Sequence, residues 1–191
     1  MSVVIAIKDK NKVYMGCDKQ VSSGGNKNNL GGQCQKVWHY NGLPDIVIGG
    51  VGSLRDIQII QTTPDLIDVP TLVLGQINYQ YLVQNFFTKE YEILKDKNRI
   101  AKSEGDYVNF TNCALLLAFE DKMYHIDQEG SVLESDDFLV IGSGADVATG
   151  VLENNKTKKP EVRIKEAIKA CAENTLYVNN DIYITDTKSE K

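Results

Sequence analysis

VVIAIKDKNKVYMGCD, residues 3–18, holds two apolar runs separated by a short polar break. Val3 to Lys8 reads as one strand and Lys12 to Asp18 as a second, joined across the turn Asp9-Lys10-Asn11. The chain therefore opens on a hairpin. The run Val3 to Ile7 is also far too short for a signal-peptide core or a membrane span, which sets the expectation of a cytoplasmic protein.

Outward from the hairpin, the Gly/Asn/Ser-rich stretch from Ser22 to Gly32 reads as a loop. Gln35 to Tyr40 alternates apolar and polar residues as a strand does, and Leu43-Pro44 punctuates it. Ile46 to Val51 is a continuous apolar run, the pattern of a strand covered on both faces. Beyond Gly52 the period changes. Leu54, Ile57 and Ile60 recur at helical spacing behind Ser53, which is placed to cap the helix. Thr62 to Pro70 contains two prolines and reads as a loop, and Leu72 to Leu94 reads as a long helix with Gly75 weakening its start.

Lys95 to Tyr107 is charged and expected at the surface. Asn112 to Glu120 is a buried strand, and Lys122 to Asp127 and Ser131 to Glu134 extend it as a meander through the turn Gln128-Glu129-Gly130. Phe138 to Ile141 is a short strand running into Gly142-Ser143-Gly144. A helix begins at Ala145, a second helix follows Pro160, and Asp181 to Thr187 closes the chain as a strand. Strands, two helices, strands, two helices and a last strand predict an α+β protein. Its two mainly antiparallel sheets pack face to face with helices outside, a four-layer αββα sandwich.

The chain has 191 residues, 42% of them hydrophobic and 25% charged, which fits one domain over residues 1–191 with a full-sized core. Its formal net charge of −5 gives no electrostatic footprint for nucleic acid or an anionic membrane. Cys17, Cys34, Cys113 and Cys171 are scattered without a CxxC pair and read as buried free thiols. The two histidines, His39 and His125, sit in strands as packing or surface residues and leave little material for a metal site or a Ser-His-Asp triad. No metal or cofactor is expected. Trp38 and Tyr40 read as core, with the lining of a substrate groove as the alternative, and the side-chain-free pair Gly49-Gly50 leaves room for a specificity pocket at Gly50.

Four features stand out on this framework: Ser2 at the chain start, Asp18 at the end of the second strand, Lys36 on the third, and Gly52 at a strand-to-helix turn. With VVIAIKDKNKVYMGCDKQVS, QKVWHYN, IGGVGSLRD and DDFLVIGSGADVA in that order, the chain resembles the proteasome β-subunit family. That family includes the bacterial proteasome-like peptidase fed by an ATP-dependent unfoldase. The resemblance spans almost the whole chain and implies the N-terminal-nucleophile hydrolase fold. Ser2 then takes the place of the family's N-terminal threonine, Asp18 and Lys36 match its buried acid and lysine, Gly52 its oxyanion glycine, and Ser143 its second serine. Two departures are visible. Serine lacks the methyl that restricts threonine's rotamer. A further acid carried by many members falls at Thr175, beside Asn174.

The residue types suit the chemistry apart from the resemblance. A serine hydroxyl needs a base, and the α-amine of the same residue lies within reach by covalent geometry. That amine titrates near about 7.7–8.0, so roughly a tenth to a fifth is free base at pH 7. A neighbouring Lys36 cation lowers its pKa, and Asp18 offsets the cost of holding that cation inside the protein. While Met1 is attached, the Ser2 nitrogen is an amide and cannot act as a base. The resemblance thus implies a peptidase active after Met1 removal, acting on peptides or unfolded proteins in a homo-oligomeric ring with an ATP-dependent unfoldase as possible partner. The alternatives are a catalytically inactive ring subunit or scaffold, which an intact Met1 and the altered acid would suit, and an amidase acting on a small amide.

Overall fold

The computed structural model describes residues 2–23, 26–31, 35–100 and 110–188; Met1 and Cys34 lie outside them, as do residues 101–107 of the charged stretch. The opening hairpin is present as β1 (Val3–Asp9) and β2 (Lys12–Asp18), with Val4 opposite Cys17 and Asp9 opposite Lys12. It is the centre of a four-stranded antiparallel sheet in the order β10-β1-β2-β11, flanked by β10 (Phe138–Gly142) and β11 (Ile182–Asp186). A five-stranded antiparallel sheet, β5-β6-β7-β8-β9, packs on it. Its strands are β5 (Val37–His39), β6 (Ile46–Gly52), β7 (Cys113–Phe119), β8 (Lys122–Ile126) and β9 (Val132–Ser135).

The uniform apolarity of β1 has a direct cause: both of its faces are covered. Val4 and Ala6 point into the inter-sheet core with Met15, Val37, Val47, Leu116 and Ala118. Val3, Ile5 and Ile7 point the other way, onto α5 (Ala145–Asn154) and α6 (Pro160–Asn174), where Ala148, Leu152, Ile164 and Ile168 receive them. The outer face of the second sheet, through Ile46, Ile48, Leu115 and Leu117, carries Ile57 and Ile60 of α1 (Leu54–Gln61), together with Leu82, Phe86 and Leu94. The four layers are therefore αββα, as the element order predicts.

Three local readings are corrected. Ser22 to Gly32 holds a hairpin within the expected loop, β3 (Gln20–Ser23) with β4 (Asn26–Asn29), and β4 is exposed along its length. The predicted helix over 72–94 is broken: α2 (Val69–Val73) stops before Gly75, which has φ +60. A new helix then starts at Asn78, whose side chain caps it, and runs through α3 (Tyr79–Tyr81), a π-helical turn (Leu82–Phe86) and α4 (Phe87–Asp96). At Gly50, a Cβ would lie 3.1 Å from Ile57 and 3.2 Å from Leu115, so the space expected to be open there is filled by core side chains. Cys17, Cys113 and Cys171 are free and buried, as expected.

Candidate active site

The site forms where the start of β1, the ends of β2 and β6, and the segment before β5 converge. Lys36 stands one residue ahead of β5 rather than within it. Asp18 ends β2 and is wholly buried, yet all its charge is matched: Oδ1 accepts from the Val3 amide at 3.0 Å and from Lys36 Nζ at 2.9 Å, and Oδ2 accepts from the Gln20 amide at 3.0 Å. Lys36 Nζ also donates to the Gln20 carbonyl at 2.6 Å. A buried ion pair is tolerable only when the remaining hydrogen-bonding capacity is met in this way. Burial pulls the Lys36 pKa down, against the opposing pull of the Asp18 carboxylate.

Ser2 is buried beside this pair and lines a cleft of about 260 Å³ together with Val21, Ser22, Lys36, Gly52, Leu54 and Ile57. Its backbone is fixed from two sides. The Val3 amide is held by Asp18, and the Ser2 carbonyl accepts from Ser143 Oγ at 3.3 Å. Gly142, next to Ser143, has φ +104, and a Cβ there would come within 2.1 Å of the Ser2 carbonyl oxygen, so only glycine lets β10 approach the chain start this closely.

Gly52 ends β6 with φ +114, and a Cβ on it would lie 2.3 Å from the Asn112 carbonyl. The ladder fixes the direction of its amide. The Ser53 amide donates to Asn112 O on the β7 side, and the Gly50 amide donates to Lys36 O on the β5 side. Antiparallel alternation therefore turns the Gly52 N–H away from β7, toward the side of the sheet from which Lys36 enters. Of the five residues singled out in the sequence, Ser2, Lys36 and Gly52 line this cleft, while Asp18 reaches it through its ion pair with Lys36 and Ser143 through its bond to the Ser2 carbonyl.

Thr175 ends α6, its amide bonded to Cys171 O at 2.8 Å and its buried hydroxyl without a partner among the described residues. Trp38 and Tyr40 are core, as read. His39 bridges Leu43 O and Thr185 Oγ1, away from the cleft. Gln20 went unnoticed in the sequence although it holds both members of the ion pair through its backbone; a polar residue two places after an acid gives no signal for that. A second unnoticed cluster lies behind Gly52. Fully buried Asp56 accepts from Arg99 Nε at 2.6 Å, and Glu90, also buried, accepts from Cys113 Sγ at 3.6 Å.

Burial raises the Glu90 pKa to about 8 from the ordinary 4.5, with the Asp56 carboxylate adding to the rise and the Cys113 thiol opposing it. Because the folded-state value is the higher one, the folded protein binds more proton than the unfolded chain between these limits. The contribution of this group to stability is complete below about 4.5 and is lost as pH climbs toward about 8. Asp56 and Cys113 are the groups that act on it, and Glu90→Gln keeps the side-chain shape while removing the titrating carboxyl. Urea unfolding across that range should show a slope in the parent that is flattened in Glu90→Gln; equal slopes would contradict this origin.

A family model described as proteasome subunit matches residues 100–181. No curated protein matches the chain. Among solved structures, Thiobacillus denitrificans BPH aligns at TM-score 0.69 with 14% identity, covering 98% of this chain and 100% of its own. The same protein in complex with Epoxomicin gives 0.68 at 14%, covering 99% and 100%. Eukaryotic HslV from Trypanosoma brucei gives 0.65 at 18%, covering 98% and 99%. Such coverage of both chains is agreement across the whole fold. The family match spans less than half of the chain, and the likeness to these structures, at 14–18% identity, shows a shared fold.

Proposed function

We propose that this chain, with its proteasome-type fold, is a peptidase whose nucleophile is Ser2 once Met1 has been removed, built as one domain over residues 1–191. The observation that carries the reading is the buried Asp18–Lys36 pair, 2.9 Å apart, beside a serine whose backbone is held in the same cleft. A surface ion pair would mean little, whereas a desolvated one with every oxygen matched is costly to build and suits a tuned proton site.

On this reading the Ser2 α-amine takes the hydroxyl proton as Oγ bonds to the scissile carbonyl carbon. The Gly52 amide meets the oxyanion that forms. Collapse breaks the C–N bond, the proton passes to the leaving amine, and an acyl ester remains on Oγ. Water, deprotonated by the same amine, then releases the acid and regenerates Ser2. Lys36 spends two ammonium protons on Asp18 and Gln20, which leaves one for the cleft. Its charge depresses the amine's pKa toward neutrality. Ser143 serves as a positioning residue through the Ser2 carbonyl.

Val21, Leu54 and Ile57 give the cleft apolar walls, which favour substrates with an apolar side chain before the scissile bond. The substrates proposed are peptides and unfolded proteins, processed inside a homo-oligomeric ring fed by an ATP-dependent unfoldase, in the cytoplasm. No helix among the described residues is long and apolar enough to cross a membrane.

Two measurements test the proposal together. Fluorogenic peptides with apolar residues at that position should be cut at least about tenfold more efficiently than acidic ones. Light scattering should give a mass several times the 21.3 kDa of one chain. A monomer at all concentrations removes the chamber, and no cleavage by protein with a verified Ser2 terminus removes the peptidase.

A further inference from the structure

The corner between β6 and α1 is held by an ion pair that the reaction itself does not use. Ser53 follows Gly52 directly. Its amide is bonded to Asn112 O at 2.8 Å, and its Oγ accepts from Asp56 N at 3.4 Å, a long capping bond. The shorter contact to that oxygen comes from elsewhere: Arg99 Nη2 donates to Ser53 Oγ at 3.1 Å, while Arg99 Nε donates to Asp56 Oδ1 at 2.6 Å. One guanidinium thus bridges the cap residue and the first turn of α1. Arg99 itself is anchored just past α4, its amide bonded to Leu94 O at 2.8 Å.

The arrangement is expensive. Asp56 is fully buried, its Oδ2 has no hydrogen-bond partner among the described residues, and buried Glu90 stands near enough for the two carboxyl groups to feel each other. A buried carboxylate with half its capacity unmet costs stability, and an apolar residue would fill the same space without that cost. Such a group holds its place where it fixes something else in position. What Asp56 fixes is Arg99, and what Arg99 fixes is the side chain of the residue after Gly52.

We infer that Arg99 is a positioning residue for the Gly52 amide, acting through a clasp with Asp56 and Ser53. The inference rests on the proposed peptidase reading, in which that amide receives the oxyanion. A donor aimed at a developing charge must be held to within a fraction of an ångström, and an amide at the end of a strand with positive φ has no side chain of its own to hold it. The clasp supplies that restraint from behind, out of reach of substrate. Lysine cannot reproduce it, because one ammonium does not span Oδ1 of Asp56 and Oγ of Ser53 with two fixed donors.

The test uses full-length protein with its Ser2 terminus verified by mass. Arg99→Ala is expected to lower kcat by about 10- to 100-fold with KM within about twofold, the signature of an interaction realised in the transition state. Arg99→Lys should fall between the two. Arg99→Ala/Asp56→Asn, which removes the uncompensated buried charge, should recover thermal stability and keep the low kcat. A peptide aldehyde, which forms an oxyanion-like adduct, should lose affinity in step with kcat, whereas the matching peptide alcohol should bind as it does to the parent.

Turnover within about twofold of the parent in Arg99→Ala overturns the clasp alone. So does recovery of kcat in the double variant, or equal loss of aldehyde and alcohol affinity, since each assigns Arg99 a purely structural part. An inactive parent with a free Ser2 amine overturns the peptidase reading, and the clasp's role falls with it.

Discussion

Ser2→Ala is expected to fold as the parent does and to lose peptide hydrolysis by on the order of 10⁴-fold or more, because hydroxyl and amine act as one unit and loss of either removes the covalent route. The fold should survive because the contacts that hold this residue are backbone ones: the Val3 amide to Asp18 and the Ser2 carbonyl to Ser143. Ser2→Thr keeps both reacting groups and should retain activity. Fluorogenic peptide assays on purified variants, with circular dichroism alongside, decide the matter. Near-parental cleavage by Ser2→Ala would move the nucleophile elsewhere.

The second large effect is at Lys36. Lys36→Ala should reduce turnover by about 10²–10³-fold, on the scale of losing one preorganised electrostatic group at a reacting centre. It should also cost stability. Asp18 is left wholly buried without its cation, and breaking such a pair costs about 3–5 kcal/mol. The Val3 and Gln20 amides still reach the carboxylate, which places the loss toward the lower end of that range. Asp18→Asn/Lys36→Met separates the two effects, since removing both charges should restore the melting temperature but not turnover. Lys36→Arg should fail as well. A planar guanidinium that stays charged in all protein settings cannot occupy the space of a compact ammonium whose pKa burial has lowered. Normal turnover in Lys36→Ala would leave the lysine as a structural residue.

The sequence revealed those parts of the fold whose burial pattern is set by layering. In β1 and β6 every residue from Val3 to Ile7 and from Ile46 to Val51 is buried, so an unbroken apolar run identified strands inside a four-layer stack. Ser53 and Pro160 marked helix starts because capping and proline at the first turn are local chemistry. The hairpin of β3 and β4 stayed hidden for the opposite reason. Asn26 to Asn29 is exposed and polar, and its pairing is made by backbone groups that carry no composition signal. The long central helix was misjudged because Gly75 ends α2 outright, after which Asn78 caps a new start.

At the candidate site the residue types were legible and their contacts were not. Asp18 and Lys36 are 18 positions apart, and nothing in the intervening polar stretch says that the chain doubles back to bring Nζ to Oδ1. The Arg99 bridge joins positions 43 and 46 residues away and lies further still from any local pattern. Gly52 could be singled out because a glycine between an apolar strand and a capped helix is a local oddity. The arginine that grips the residue after it could not.

The measurement that bears most directly on the central claim compares one protein in two states of its terminus. One preparation begins at Ser2, verified by intact mass; in the other, a bulky residue inserted between Met1 and Ser2 prevents methionine removal. The account predicts peptide cleavage by the first and none above background by the second, because only the first has a free amine beside the hydroxyl. Equal cleavage by both would show that the Ser2 amine is not the base, and that the site built from Ser2, Asp18, Lys36 and Gly52 does not perform the reaction.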